Sequence, residues 1–149
     1  MALLNQLFYL FVLVAVASYA GWQGGWPERI GAAIMVVGSV LTVIAAMSFY
    51  PGWQTPQAGI FIVDLLVLAA FGNLALNSDR YWPLWVTSFH LIAVTIHLAT
   101  LADRSVAALP YAWAAEFWAY PMLVAIAVGT WNRRRRIQAS AQRPNVVRY

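Results

Sequence analysis

The stretch WPLWVTSFHLIAVTIHLATLA (residues 82–102) runs for 21 positions with no acidic residue, lysine or arginine. An α-helix needs about 20 predominantly apolar residues to cross the hydrocarbon core of a bilayer. The run opens on Trp-Pro, and proline suits the first helical turn because the N–H it lacks would find no partner there. Two imidazoles interrupt the apolar pattern. His90 and His97 stand seven positions apart, which returns a helix almost to the same face about 10 Å further along its axis. Residues 82–102 are therefore predicted to be a membrane span carrying two histidines on one side.

Four further runs match it, at residues 3–22, 29–49, 58–77 and 111–131. The breaks between them have turn chemistry: GWQGGWPER (21–29), YPGWQTPQAG (50–59), NSDRYWP (77–83) and ADRSVAALP (102–110). Pro121 falls inside the last run and is expected to free a carbonyl and kink that helix. Composition agrees with a membrane protein. The 149 residues are 62% hydrophobic and 9% charged, where a soluble domain would need roughly a quarter charged residues to cover its surface. SYA at 18–20 has the small–x–small look of a signal-peptidase site, but no charged side chain precedes it, so the first run reads as a retained span. The predicted fold is all-α, a bundle of five transmembrane helices over residues 1–132, followed by an Arg-rich tail over 133–149. The tail reads as disordered or surface-bound. The absence of cysteine excludes disulfides, thiolate metal sites and cysteine nucleophiles.

Charge orients the bundle. Arg133, Arg134, Arg135 and Arg136 open the tail and are expected to anchor the topology and attract anionic lipid. With the tail cytoplasmic, five spans put the amino terminus on the periplasmic side. Arg29 and Arg80 then fall in cytoplasmic loops, and Arg104 alone falls outside. The eight tryptophans lie near predicted span ends, as an aromatic belt at headgroup level would. The basic balance is thus a membrane-boundary signal rather than a nucleic-acid one.

Ionisable groups inside spans are costly and usually face the bundle interior. Counting from the outer boundary at 1.5 Å per residue places Asp64 at roughly 9 Å, His97 at 6–8 Å and Glu116 at about 8 Å. Three antiparallel helices would bring these side chains to one level, with Arg104 just above and His90 deeper. Such a cluster can be a polar knot fixing helix register, or a proton or ion relay. A metal site is not expected, because paired-histidine or His-x-x-Glu spacing is missing. No nucleophile motif or phosphate-binding glycine loop is present, so no catalytic residue and no enzymatic activity are expected. Thr87, His90, Val94, His97 and Thr100 form one stripe, and Ala93 lies one turn before His97. That pattern would also suit a haem or bacteriochlorophyll ligated by His97 or His90, although no other span supplies a second histidine. Small residues, including Gly31, Gly38 and Ala45 at seven-residue intervals, mark seams of close helix approach, one of which could meet a partner subunit.

The segments YAGWQGGWPERIGAAI (19–34) and LALNSDRYWPLWVTSFHLIAVTIHLA (74–99) resemble small polytopic membrane proteins of alphaproteobacteria. The resemblance rests on the Trp-Pro helix starts, Glu28-Arg29 and Arg80-Tyr81-Trp82-Pro83. It implies a bacterial inner membrane, and since no activity is assigned to that group it carries over no catalytic residue. Together these readings lead to a small accessory or scaffolding subunit of a larger membrane complex, an energy-converting one among the candidates. Lipids, other membrane subunits or further copies of the chain are the expected partners. The alternatives are a proton- or ion-conducting protein and a haem- or chlorophyll-binding one.

Overall fold

The computed structural model describes residues 2–47, 57–102 and 117–142. Its five helices are α1 (Ala2–Gln23), α2 (Trp26–Met47), α3 (Gln57–Leu76), α4 (Trp82–Ala102) and α5 (Ala119–Ala141). The first four are each long and apolar enough to cross a membrane. Large apolar side chains project outward along them: Phe11 on α1 is 72% exposed, Val37 on α2 55% and Leu91 on α4 52%. An apolar exterior of this extent is stable where the surroundings are hydrocarbon rather than water.

Each helix packs on its neighbour in the chain, α5 packs on both α4 and α1 to close the ring, and α5 also touches α2 across the middle. The centre is filled by Phe71, Val86, Leu123 and Ile126, all at 1% exposure or less. At one end, aromatic contacts join α1 to α5, with Tyr120 against Phe8 and Tyr9 and its hydroxyl donating to Asn5 Oδ1 at 3.1 Å. Between α1 and α2, Ser39 Oγ donates its proton to Met35 O at 2.8 Å. Tyr9 must therefore be the donor in its 2.7 Å contact with Ser39 Oγ.

The glycines predicted to mark helix seams do so within the chain. A Cβ on Gly38 would lie 2.8 Å from Val67 of α3. One on Gly31 would lie 2.5 Å from the Trp82 ring, and one on Gly129 of α5 would meet the same ring at 2.5–2.8 Å. The indole of Trp82 is thus held between two glycine backbones from different helices.

Several expectations are corrected. The second helix starts at Trp26 rather than at residue 29, because Gly25 serves as its N-cap: Gly25 O accepts the first helical hydrogen bond, from Arg29 N at 3.0 Å. The predicted fifth span begins among residues 103–116, outside the described residues, and the described α5 is not among the helices apolar enough to cross a membrane. Pro121 falls in the first turn of α5, and the helical residue Phe117 lies just before it across a turn at Trp118, so the helical run is interrupted where the proline cannot bond the Phe117 carbonyl. There is no break at 132–133. The segment expected to be a disordered or surface-bound tail continues α5 as helix through the arginines to Ala141.

Because the Trp82 ring cannot retreat from either neighbour, Gly129→Ala is expected to destabilise the bundle by about 1–3 kcal/mol. Gly72→Ala, where an added Cβ meets nothing within 4 Å, should be neutral or stabilising by up to about 1 kcal/mol. Reversible unfolding of both variants in mixed micelles checks the contrast.

Candidate functional site

Helices α3 and α4 form an antiparallel hairpin, and its seam holds the predicted intramembrane cluster. His97 Nε2 lies 3.2 Å from Asp64 Oδ2, and His90 Nε2 lies 2.9 Å from the backbone oxygen of the same Asp64. Helix geometry explains how one residue engages both histidines. Side chains lean toward the N-terminus of their helix while carbonyls point toward the C-terminus. In an antiparallel pair, the Asp64 carboxylate is therefore carried toward the later histidine of α4 and its carbonyl toward the earlier one. Asp64 stands level with the middle of the seven-residue interval, and the two imidazoles close on it from either side. A carbonyl can only accept, so His90 carries a proton on Nε2, and the carbonyl's second lone pair receives it.

The predicted agreement in depth between Asp64 and His97 is met by direct contact, and His90 joins them through the backbone. Glu116 and Arg104, the other two members of the cluster, lie outside the described residues. Of the α4 stripe's other polar members, the Thr100 side chain lies outside the described residues. Thr87 turns its hydroxyl back to Pro83 O at 2.8 Å, satisfied within its own turn. The Asp64 and His97 side chains are 14% and 21% exposed, but Asp64 Oδ2, the oxygen nearest His97, is itself buried and accepts no hydrogen bond among the described residues. Among the described residues no group of three or more His, Cys, Asp or Glu side chains could hold a metal ion. Both Nε2 atoms face Asp64, so a tetrapyrrole iron or magnesium at His90 or His97 would have to use Nδ1 or displace the aspartate.

A second polar centre was not anticipated as a site. Glu28 is fully buried, and its carboxylate accepts from Trp82 Nε1 at 3.1 Å and from Gly25 N at 2.8 Å. The second bond is half of a capping box, in which an acidic residue at the third helical position reaches back to the cap N–H. The helix N-terminus adds favourable partial positive charge. Beside it, Arg133 Nη1 of α5 donates to Gln23 O at the end of α1, at 2.8 Å. A Cβ on Gly25 would meet Arg133 Nε at 2.8 Å and Glu28 Oε2 at 3.1 Å, so this glycine makes room for both. The signal in the sequence was GGWPE: a glycine, a Trp-Pro helix start and a glutamate at capping-box spacing. These contacts correct the aromatic-belt reading for one residue. Trp82 is 7% exposed and serves as an internal hydrogen-bond donor, whereas Trp22 at 85% and Trp85 at 62% do face outward.

The same contacts bring Arg29, Arg80, Arg133, Arg134, Arg135 and Arg136 to one end of the bundle. Between the α1–α2 turn, the α3–α4 loop and α5, this end opens into a cavity of about 490 Å³, lined in part by Trp26, Asp79, Arg80, Arg133 and Arg136. Arg135 lies over the Trp131 ring, 4.2 Å from its centroid.

Compared with known protein families, curated proteins and solved structures, the chain matches none. The reading of its function therefore rests on the site itself.

The two histidines should separate in a double-mutant cycle. His97→Gln with Asp64→Ala is expected to show a coupling of about 0.6 kcal/mol, the average for polar contacts between membrane helices. His90→Gln with Asp64→Ala should be nearly additive, because His90 binds a backbone oxygen that the substitution leaves in place.

Proposed function

We propose that the chain is a multi-pass protein of a bacterial inner membrane that acts as a small accessory or scaffolding subunit of a larger membrane assembly. The observation that carries this reading is the use made of the interior polar groups. Among the described residues within the helices, Asp64, His90 and His97 join α3 to α4, and Glu28 joins α2 to α4. Chemistry that could have served a substrate is engaged in stitching the bundle. What remains presented is apolar surface, most continuously on α1, where Leu7, Phe11 and Val14 are 56–72% exposed. In lipid such a face associates by packing rather than by hydrophobic force, which suits a fitted protein partner. The cluster of arginines at one end supports a topology with that end cytoplasmic and the amino terminus periplasmic. The alphaproteobacterial resemblance belongs to the same reading.

Extraction from native membranes in a mild detergent, with mass spectrometry of co-eluting proteins and an absorption spectrum, tests it. A colourless sample with stoichiometric larger subunits is the expected result. A protein eluting alone would sink the subunit reading, and a Soret or near-infrared band lost in His97→Ala would make this a pigment or haem protein. Because the natural chain has no cysteine, Ser140→Cys introduces a single thiol. It should react with a membrane-impermeant maleimide only after the inner membrane is opened.

A second reading is favoured by the 3.2 Å approach of His97 to Asp64 Oδ2, a buried oxygen that accepts no hydrogen bond among the described residues. A carboxylate and an imidazole in contact at membrane depth can exchange a proton, with His90, Glu116 and Arg104 as further members of a proton or ion path. Proton flux into vesicles containing the protein, lost in Asp64→Asn, would establish this. Equal flux in the variant and in empty vesicles would end it.

A further inference from the structure

The arginine end and the seam beneath it combine two cavities of opposite character. The polar one presents Arg80 from the α3–α4 loop and Arg133 and Arg136 from α5, with Asp79 also in its lining. Among the described residues, none of these guanidinium groups has a carboxylate within 4.0 Å. The Glu28 carboxylate does not line the cavity and is turned inward to Trp82 and Gly25. Three arginines with one carboxylate leave the described lining net positive, and the next carboxylate, Glu28 Oε2, stands beside Arg133 Nε at Gly25 without pairing with it.

The second cavity is an apolar groove of about 360 Å³ between α4 and α5, walled by Trp85, Phe89, Pro121, Val124 and Val128, with Trp82 at its arginine end. The polar cavity lies beyond the groove's arginine end and to the α2 side of it. Arg80 lies two residues before Trp82 on one wall. On the other, Ala125 of the groove and Arg136 of the polar cavity are eleven residues apart and share a face of α5, with about 16 Å between them, while Arg133 is turned about 130° from the centre of the groove residues. A row of guanidinium groups at the membrane boundary above an apolar slot descending into the hydrocarbon matches one kind of molecule. Guanidinium groups pair with phosphate oxygens through two parallel N–H···O bonds, basic pockets between helices at this level suit lipid head groups, and Trp26 borders the cavity as an interfacial aromatic.

We infer that this chain binds one anionic glycerophospholipid at a defined position, its phosphodiester held by Arg80, Arg133 and Arg136 and an acyl chain lying in the α4–α5 groove. Arg29 and Arg134, though at the same end, take no part. Arg133 also holds Gln23 O, so the test leaves it in place. The full chain in mild detergent is titrated with phosphatidylglycerol and the complexes are counted by native mass spectrometry, with phosphatidylcholine and inorganic phosphate as parallel probes.

One phosphatidylglycerol should be retained per protein, while phosphatidylcholine is not retained and phosphate does not displace the lipid. Arg80→Gln with Arg136→Gln should weaken retention about tenfold or more, since each arginine near a lipid surface contributes substantially. Arg29→Gln with Arg134→Gln removes the same charge from exposed positions outside the cavity and should change it by no more than about twofold. Val128→Trp, which fills the groove without touching a charge, should also weaken it. Equal losses in the two arginine pairs would reduce the effect to diffuse attraction and overturn the proposal. So would displacement by phosphate, indifference to Val128→Trp, or a wild-type protein that retains no phosphatidylglycerol.

Discussion

A carboxylate buried in an apolar bundle is stable only if its surroundings satisfy it, and the packing of this protein is arranged around satisfying Glu28. Its two oxygens take the Trp82 N–H at 3.1 Å and the Gly25 N–H at 2.8 Å, with the start of α2 supplying further positive potential. The tryptophan that answers it cannot be placed freely. Its ring must lie flat enough to pass between Gly31 and Gly129, which sets the spacing of α2 and α5 as well as the position of α4. One hydrogen bond thereby ties together three helices distant in the chain. Because an unsatisfied buried charge costs more than a hydrogen bond gains, this contact selects one arrangement and penalises the rest.

The seam between α3 and α4 works differently. Asp64 is gripped twice, through its side chain by His97 and through its backbone by His90. The first contact depends on the residue type and the second only on the helix being there. A hairpin held in this way resists sliding: a shift of one residue would draw both imidazoles off their acceptors at once. Register, which apolar contacts in lipid specify weakly, is set by one hydrogen bond from His90 and one close polar contact at His97, two turns apart.

Much of this was legible in the sequence. The four apolar runs appear as α1 to α4 with ends shifted by a few residues, because runs of this length have few other stable forms in or out of lipid. The Asp64–His97 contact followed from counting depth along antiparallel helices. His90 was expected deeper and apart, since depth counting considers side chains and ignores the carbonyl that bonds it. Glu28 and Trp82 were visible as turn chemistry and an aromatic belt, yet their pairing was not, because it joins positions 54 residues apart and depends on two glycines in other elements. The continuation of α5 was obscured by its arginines. A charge run suggests a solvated tail, but arginine is a good helix former, and a helix already anchored by packing at Ile126 and Gly129 extends through it at little cost.

That continuity makes α5 a single rod about 34 Å long, and its two halves have different surroundings. One half is wedged between α1 and α4, with Gly129 against the Trp82 ring. The other carries Ile137 and Ser140, both exposed, beyond the Arg133 bond to Gln23 O of α1. With no hinge between Ala119 and Ala141, the outer half cannot be tilted without turning the inner half by the same angle. Whatever fixes the arginine-bearing end in place also sets how tightly α1 and α4 close around the rod.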